Sequence, residues 1–180
     1  MSTIRHAQAD DLAAIVAIYN ASIPGRMATA DTEPVTVAAR TAWFREFDPA
    51  HRPLWVFCDK QAGPIAGWLA LRSFYGRPAY HGTVELSVYV DPPAQRRGIA
   101  RALLGHALQA APSLGIRTLL GFVFAHNVPS IALLDAAGFR EWGHLPRVAE
   151  LDGLERDVAI LGLHLNWTPE TVPPAAHGSA

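Results

Sequence analysis

Between Val88 and Arg101 the chain reads VYVDPPAQRRGIAR, a β-rich run that passes through a proline-marked turn to Gly98 and then enters the apolar periodicity of a helix. Such a junction suits an anion. Gly98 and Ala100 have little or no side chain, so a diphosphate can approach the backbone. The first turn of a helix presents N–H groups that have no intrahelical acceptor, and Arg96, Arg97 and Arg101 add positive charge. The same residues also suit an ordinary loop with hydrated arginines. Neither GxxxxGK[ST] nor GxGxxG occurs, which excludes the P-loop and the dinucleotide fingerprint. The second candidate is Glu85. It interrupts an apolar run, Thr83-Val84-Glu85-Leu86-Ser87-Val88, and strand alternation puts it on the face of Thr83 and Ser87. A carboxylate placed there either accepts a proton in a reaction or pairs structurally with an arginine. The eight histidines are scattered without HExxH or another close ligand pair, and there is one cysteine, Cys58, so no metal is expected.

These residues need elements to hold them. A short strand is expected at Thr3–Ala7, then a helix capped by Asp10 with Leu12, Ile15, Val16 and Tyr19 on one face. Pro24 and Gly25 end it, and Arg26–Pro34 reads as a loop. A second helix follows from a Thr36 cap and carries Val37, Trp43, Phe44 and Phe47; Trp43, Phe44 and Trp55 read as core. Strands are expected at Leu54–Cys58, Ile65–Leu71 and Thr83–Val90, with a turn at Lys60–Pro64. The helix after Gly98 carries Leu103, Leu104, Ala107, Leu108 and Ala111 and ends near Pro112 and Gly115, before a strand at Thr118–Phe124. Asn127 can cap a short helix over Pro129–Ala137, with Gly138 beyond its end. Strands at Glu141–Leu151 and Glu155–Leu165 flank Asp152-Gly153, a strong hairpin signal. The order β-α-α-β-β-β-α-β-α-β-β makes a mixed sheet with helices. It fills residues 1–165, and the Pro/Ala-rich stretch 166–180 reads as a disordered tail.

Composition narrows the partners. The 180 residues fit one domain, and 50% apolar residues suffice for a core. A net charge of −1 gives no bulk attraction to nucleic acid or anionic lipid. No apolar run approaches the ~18 residues that span a bilayer, and the start, MSTIRHAQADD, lacks the features of a signal peptide. With a lone cysteine, this suggests a reducing, cytoplasmic setting.

Gln95-Arg96-Arg97-Gly98-Ile99-Ala100 resembles the acyl-CoA pyrophosphate loop of the GNAT acetyltransferases, whose pattern is Q/R-x-x-G-x-G/A. Tyr19-Asn20, Ala28–Pro34 (ATADTEP), Arg40 with Trp43-Phe44, Tyr80–Val90 (YHGTVELSVYV) and Asn127-Val128-Pro129-Ser130 resemble the phosphinothricin and methionine sulfoximine acetyltransferase branch, over about residues 3–165. The resemblance implies an α+β fold, a mixed but mostly antiparallel sheet of about seven strands, splayed at its middle with helices on both faces. It also implies acetyl transfer from acetyl-CoA to the primary amine of a small amino-acid-like acceptor in a ternary complex. The backbone of Leu86, Ser87, Val88, Tyr89 and Val90 would pair with the pantetheine arm, the N–H groups of Gln95–Ala100 would hold the pyrophosphate, and Asn127 and Ser130 would stand near the thioester. Glu85 matches the branch's general base, which would take a proton from an ammonium so that it can attack.

For the acceptor, the resemblance points to Arg26, Thr29, Glu33, Arg72, Phe74, Tyr75, Arg77, Tyr80 and Thr83, with an Arg72/Arg77 fork suited to a carboxylate. Two departures stand out. Leu134 occupies the position, four residues before Gly138-Phe139, where many members carry Tyr and this branch often His; leucine donates no proton, so no general acid is assigned, and His126 is the nearest substitute. The hairpin Arg147–Val158 is shorter than in the herbicide-inactivating members, which argues against phosphinothricin itself. Members of the branch are commonly homodimers. The rival readings are acetylation of a protein, polyamine or aminoglycoside amine, and a non-catalytic CoA-binding domain.

Overall fold

The computed structural model describes residues 2–60 and 63–165; the 166–180 tail and part of the turn at Lys60–Pro64 lie outside the described residues. Seven strands form one sheet: Thr3–His6 (β1), Leu54–Cys58 (β2), Ile65–Ser73 (β3), Thr83–Val90 (β4), Thr118–Phe124 (β5), Arg140–Leu151 (β6) and Leu154–His164 (β7). Four helices pack on it: Leu12–Ser22 (α1), Val37–Phe44 (α2), Ile99–Ala110 (α3) and Val128–Ala136 (α4). The spatial order is β1-β2-β3-β4-β5-β7-β6. Every neighbouring pair is antiparallel except β4 and β5.

That parallel pair divides the sheet. Its register covers only Thr83↔Thr118, Val84↔Leu119 and Glu85↔Leu120, after which the two strands part. The expected splay is thus present, with β4 continuing to Val90 and β5 to Phe124. Two cores follow from strand alternation. Leu69, Leu71, Val84 and Leu86 pack under Leu103, Leu104 and Ala107 of α3. On the opposite face Leu54, Val56, Trp68 and Ala70 meet Ile15 and Ile18 of α1, with Trp43 and Phe44 partly buried against them. Cys58 is buried in this second core and is a free thiol.

Several local expectations need correction. The entry to α1 is set not by Asp10 but by Gln8 and Asp11: Gln8 N donates to Asp11 Oδ2 at 2.7 Å and Asp11 N to Gln8 O at 2.9 Å. Arg5 grips both oxygens of Asp11 at 2.6 and 2.9 Å and pulls its pKa down, so Asp11 is the better anchor. α2 stops at Phe44, leaving Phe47 past its end, and β3 runs two residues further than expected, to Ser73. Thr36 does cap α2, its side chain accepting from Ala39 N at 3.1 Å. Asn127 caps α4, Oδ1 accepting from Ser130 N at 3.2 Å. At Asp152-Gly153 both residues have positive φ, 53° and 77°, as a two-residue hairpin turn of matching twist needs. No helix among the described residues is long and apolar enough to cross a membrane.

Candidate active site

Where β4 and β5 part, a cavity of about 300 Å³ opens between Glu85–Tyr89, Gly121–Phe124, the α4 side chains Ser130, Leu133 and Leu134, and the loop residues Met27–Ala30. The hairpin adds Ala149 and Val158. Along this seam the backbone N–H and C=O groups of Leu86–Val90 that would have continued the ladder have no strand opposite them. They are hydrogen-bonding groups left for a ligand that carries amides. Beyond the far end of β4, Gln95–Gly98 form an exposed loop in which Arg96 (φ 62°) and Gly98 (φ 80°) are left-handed, and Gly98 caps α3. The loop therefore leads into a helix N-terminus, the arrangement an anion requires. Arg97 differs from the expectation of a free cation: both its terminal nitrogens bind Asp59, at 3.0 and 2.9 Å. That pair buttresses the loop, while Arg96 and Arg101 are exposed beside it.

Glu85 lines the cavity and is half-buried. Its ladder neighbour is Arg72, on the same face, yet Arg72 turns to Glu46, donating from Nη2 to Oε2 at 3.2 Å. The Glu85 carboxylate has no hydrogen-bond or ion-pair partner among the described residues. A second, smaller cavity of about 140 Å³ lies on the same face, walled by Ile15, Val16 and Tyr19 of α1, Arg40 and Trp43 of α2, Trp68, Ala70 and Arg72 of β3, and Ser87 and Tyr89 of β4. Ser87 and Tyr89 line both spaces. Between them runs a network that sequence reading did not assemble. Tyr19 Oη donates to Asp31 Oδ2 and accepts from Thr29 Oγ1, each at 2.5 Å, and Arg40 Nη2 donates to the same Asp31 oxygen at 3.0 Å. Tyr89 Oη donates to Ala28 O at 3.1 Å. Burial pushes both phenol pKa values up, so these hydroxyls stay protonated.

The acetyltransferase (GNAT) family pattern matches residues 15–139, well over half of the chain. The chain belongs to the GNAT acetyltransferase family. It is 48% identical over 164 residues to a Bacillus subtilis (strain 168) protein named "Putative phosphinothricin acetyltransferase YwnH", covering 91% of this chain and 99% of that one. It is 30% identical over 167 residues to the L-methionine sulfoximine/L-methionine sulfone acetyltransferase of Pseudomonas aeruginosa, covering 93% and 96%. Among solved structures, the GNAT superfamily phosphinothricin acetyltransferase of Sinorhizobium meliloti in complex with acetyl-CoA superposes with a TM-score of 0.86 at 30% identity, covering 97% of this chain and 94% of that one. GNAT acetyltransferases use acetyl-CoA, and an open strand edge followed by a loop into a helix N-terminus has the chemistry to suit a ligand with amides and phosphates.

This GNAT chain distributes the expected acceptor residues unevenly. Thr29 lines the main cavity and Arg72 the smaller one. Arg26 does not reach either; its guanidinium is held by Asp152 of the hairpin at 2.8 and 3.0 Å, which raises its pKa, and by Thr32 O at 3.0 Å. Glu33 is exposed and lines neither space. Phe74, Tyr75 and Tyr80 meet one another at tilted and edge-on angles in the β3–β4 connection, with centroids 4.3 to 6.2 Å apart, and Arg77 precedes the short turn there. Of the expected Arg72/Arg77 pair, Arg72 borders the smaller cavity and Arg77 lines neither of the two. Thr83 sits at the paired start of β4, short of the splay.

Asn127 and Ser130 do line the main cavity, but Asn127 is already committed to α4 and to Met27 O, to which Nδ2 donates at 2.8 Å. His126 does not line it; Nε2 donates to Arg26 O at 2.9 Å. Leu134 does, packed against Gly121, so the position where the family often has an acid is an apolar wall. Among the described residues no cluster of three or more His, Cys, Asp or Glu could hold a metal ion.

Proposed function

We propose that the protein transfers an acetyl group from acetyl-CoA to the primary amine of a small amino-acid-like acceptor by direct attack in a ternary complex, with Glu85 as general base. The observation that carries this reading is the unpartnered Glu85 carboxylate facing the cavity of the splayed strands. Acetyl-CoA supplies a thioester carbonyl as electrophile. The chain's own groups do the rest. The seam backbone of Leu86–Val90 orients the arm by ladder-like hydrogen bonds, and the N–H groups of Gln95–Ala100 hold the phosphates. Glu85 takes one proton from the acceptor ammonium, directly or through a water, leaving a lone pair free to attack the acyl carbon. The loop Met27–Ala30, tied down by Tyr19, Tyr89 and Asn127, closes the cavity and keeps the acceptor close. With Leu134 at the wall, no side chain is assigned to protonate the departing thiolate, which thiols of pKa near 8.5 tolerate.

Relatives named for methionine sulfoximine, methionine sulfone and phosphinothricin support an acceptor of the α-amino-acid type. We extend the same proposal to a homodimer in a reducing, cytoplasmic setting: Trp142, Val148 and Leu154 are exposed apolar side chains on the edge hairpin, and Cys58 is an unpaired thiol. Light scattering of the purified protein tests the dimer. The reaction is tested by acetyl-CoA-dependent thiol release over methionine sulfoximine, methionine sulfone, phosphinothricin, common amino acids and polyamines, with an enzyme-only blank. Saturable release with an amino-acid analogue is the expected result; turnover of polyamines alone would replace this acceptor class.

A further inference from the structure

Three ladder pairs, Trp68↔Tyr89, Ala70↔Ser87 and Arg72↔Glu85, put six side chains on the face that α1 and α2 cover. Five of them wall the smaller cavity, and the sixth, Glu85, is directly opposite Arg72. Paired residues have Cβ atoms about 5 Å apart, and residues two apart on a strand are roughly 7 Å apart. An α-amino acid whose amine stands over Glu85 can thus lay its carboxylate toward Arg72 and its side chain past Ser87 into the cavity. The Arg72–Glu46 pair does not prevent this, because both side chains are about half exposed and such pairs are weak.

We infer that the cavity walled by Trp43, Trp68 and Ala70 receives the acceptor's side chain and selects short, uncharged ones over anionic ones. This rests on the proposed acetyl transfer and names its substrate class. The walls decide the selection. Trp68 Nε1 is spent on Ile15 O at 3.1 Å, and its ring stacks on Tyr89 at 4.6 Å. Arg40 looks like a cation for an anionic side chain but is already neutralised by Asp31 and lies over the rings of Tyr19 and Trp43, 4.6 and 5.4 Å from their centroids. Ile15, Val16 and Ala70 are apolar. The hydroxyl of Ser87 has no hydrogen-bond partner among the described residues and is available for a single polar contact. A sulfone, sulfoximine or thioether finds polarisable walls there. A side-chain phosphinate or carboxylate would lose its hydration with no free cation to meet it once the α-carboxylate holds Arg72. At about 140 Å³ the cavity is less than half the size of the 300 Å³ main cavity, room for a short side chain.

The test is kcat/KM, read from acetyl-CoA-dependent thiol release, for methionine sulfone, alanine, phenylalanine and phosphinothricin with the wild type, Trp43→Ala and Ala70→Val. Expected are at least a tenfold preference of the wild type for methionine sulfone over phosphinothricin, a tenfold rise in the phenylalanine to methionine sulfone ratio in Trp43→Ala, and at least a fivefold fall in the methionine sulfone to alanine ratio in Ala70→Val. Ratios within one variant cancel any loss of folded protein, and the two substitutions push in opposite directions, so misfolding of one leaves the other decisive. A wild type that uses phosphinothricin as well as methionine sulfone, or ratios that stay put in a variant with normal acetyl-CoA KM, overturns the inference while the acetyl transfer stands. Silence with all four acceptors overturns both.

Discussion

Replacing Glu85 by Gln separates chemistry from stability unusually well in this protein. The carboxylate has no partner among the described residues, and the side chain is only half-buried, so the isosteric amide breaks no hydrogen bond and empties no space. Its cost to folding should stay within about 0.5 kcal/mol, the range of substitutions that touch no special feature. For a domain of this size that corresponds to a Tm change of about 2 °C or less. The cost to turnover is set by a different quantity. A positioned base contributes about 10²- to 10⁴-fold, or roughly 3 to 5.5 kcal/mol, and all of it is lost with the amide. The pH profile adds a second signature. Without a base the variant depends on acceptor that is already deprotonated, so its rate should climb about tenfold per pH unit below the amine pKa, while the wild type is flatter there. The assay is thiol release at saturating acetyl-CoA from pH 6 to 9, paired with thermal denaturation. Cys58, 1% exposed, adds little to the folded-state signal. A Gln variant within threefold of wild-type kcat at pH 7, or one that loses activity and thermal stability together, would refute the assignment.

Three further outcomes follow from the geometry. Gly98→Val should raise the KM for acetyl-CoA with little change in kcat: at φ 80° an L residue costs about 1–2 kcal/mol, and although nothing stands within 4 Å of the new Cβ in the free protein, it projects where an anion would approach. Asn127→Ala should lower Tm by the worth of a helix cap, about 0.5–2 kcal/mol, and should loosen Met27, seen as faster proteolysis of the Arg26–Pro34 loop. In the edge hairpin His144 donates to Asp157 at 2.8 Å, which raises the pKa of the histidine and lowers that of the aspartate. A raised histidine pKa stabilises fully below its unfolded value near 6.5 and ceases to do so as pH climbs through the folded value; a lowered aspartate pKa stabilises above its unfolded value near 3.8 and ceases as pH falls. The Tm gap between wild type and Asp157→Asn should therefore be widest at about pH 4–6.5 and narrow toward pH 8; a gap that widens with pH is the contrary result.

Some of this was readable in the chain. β2, β4 and β5 fall where β-rich runs between turn residues put them, because a run such as TVELSVYV offers a helix no apolar stripe and is bounded by Gly and Pro. The loop before α3 was readable for the same local reason: Gly98 precedes a periodic helix. What was not legible is which partner each charged side chain takes. Arg97 meets Asp59, 38 positions away, and Arg26 meets Asp152, 126 positions away. Both read as free cations in sequence. Asp31 gathers Tyr19 and Arg40 only because α1 and α2 converge over the sheet, and the second cavity is a product of that convergence. Phe74, Tyr75 and Tyr80, named from the resemblance alone, gather on one another in the β3–β4 connection, a clustering that spacing along the chain does not announce.

The three-pair contact between β4 and β5 has a consequence for hydrogen exchange. Amides of Leu86–Val90 that point to β3 are locked in a complete ladder, whereas those that point into the seam have no carbonyl to hold them. The strand should therefore exchange in an alternating pattern in the ligand-free protein, slow and fast by turns over five residues. Occupation of the seam by a ligand with amide groups would slow the fast set and leave the other unchanged. Strand β4 thus carries its own occupancy gauge, readable without turnover.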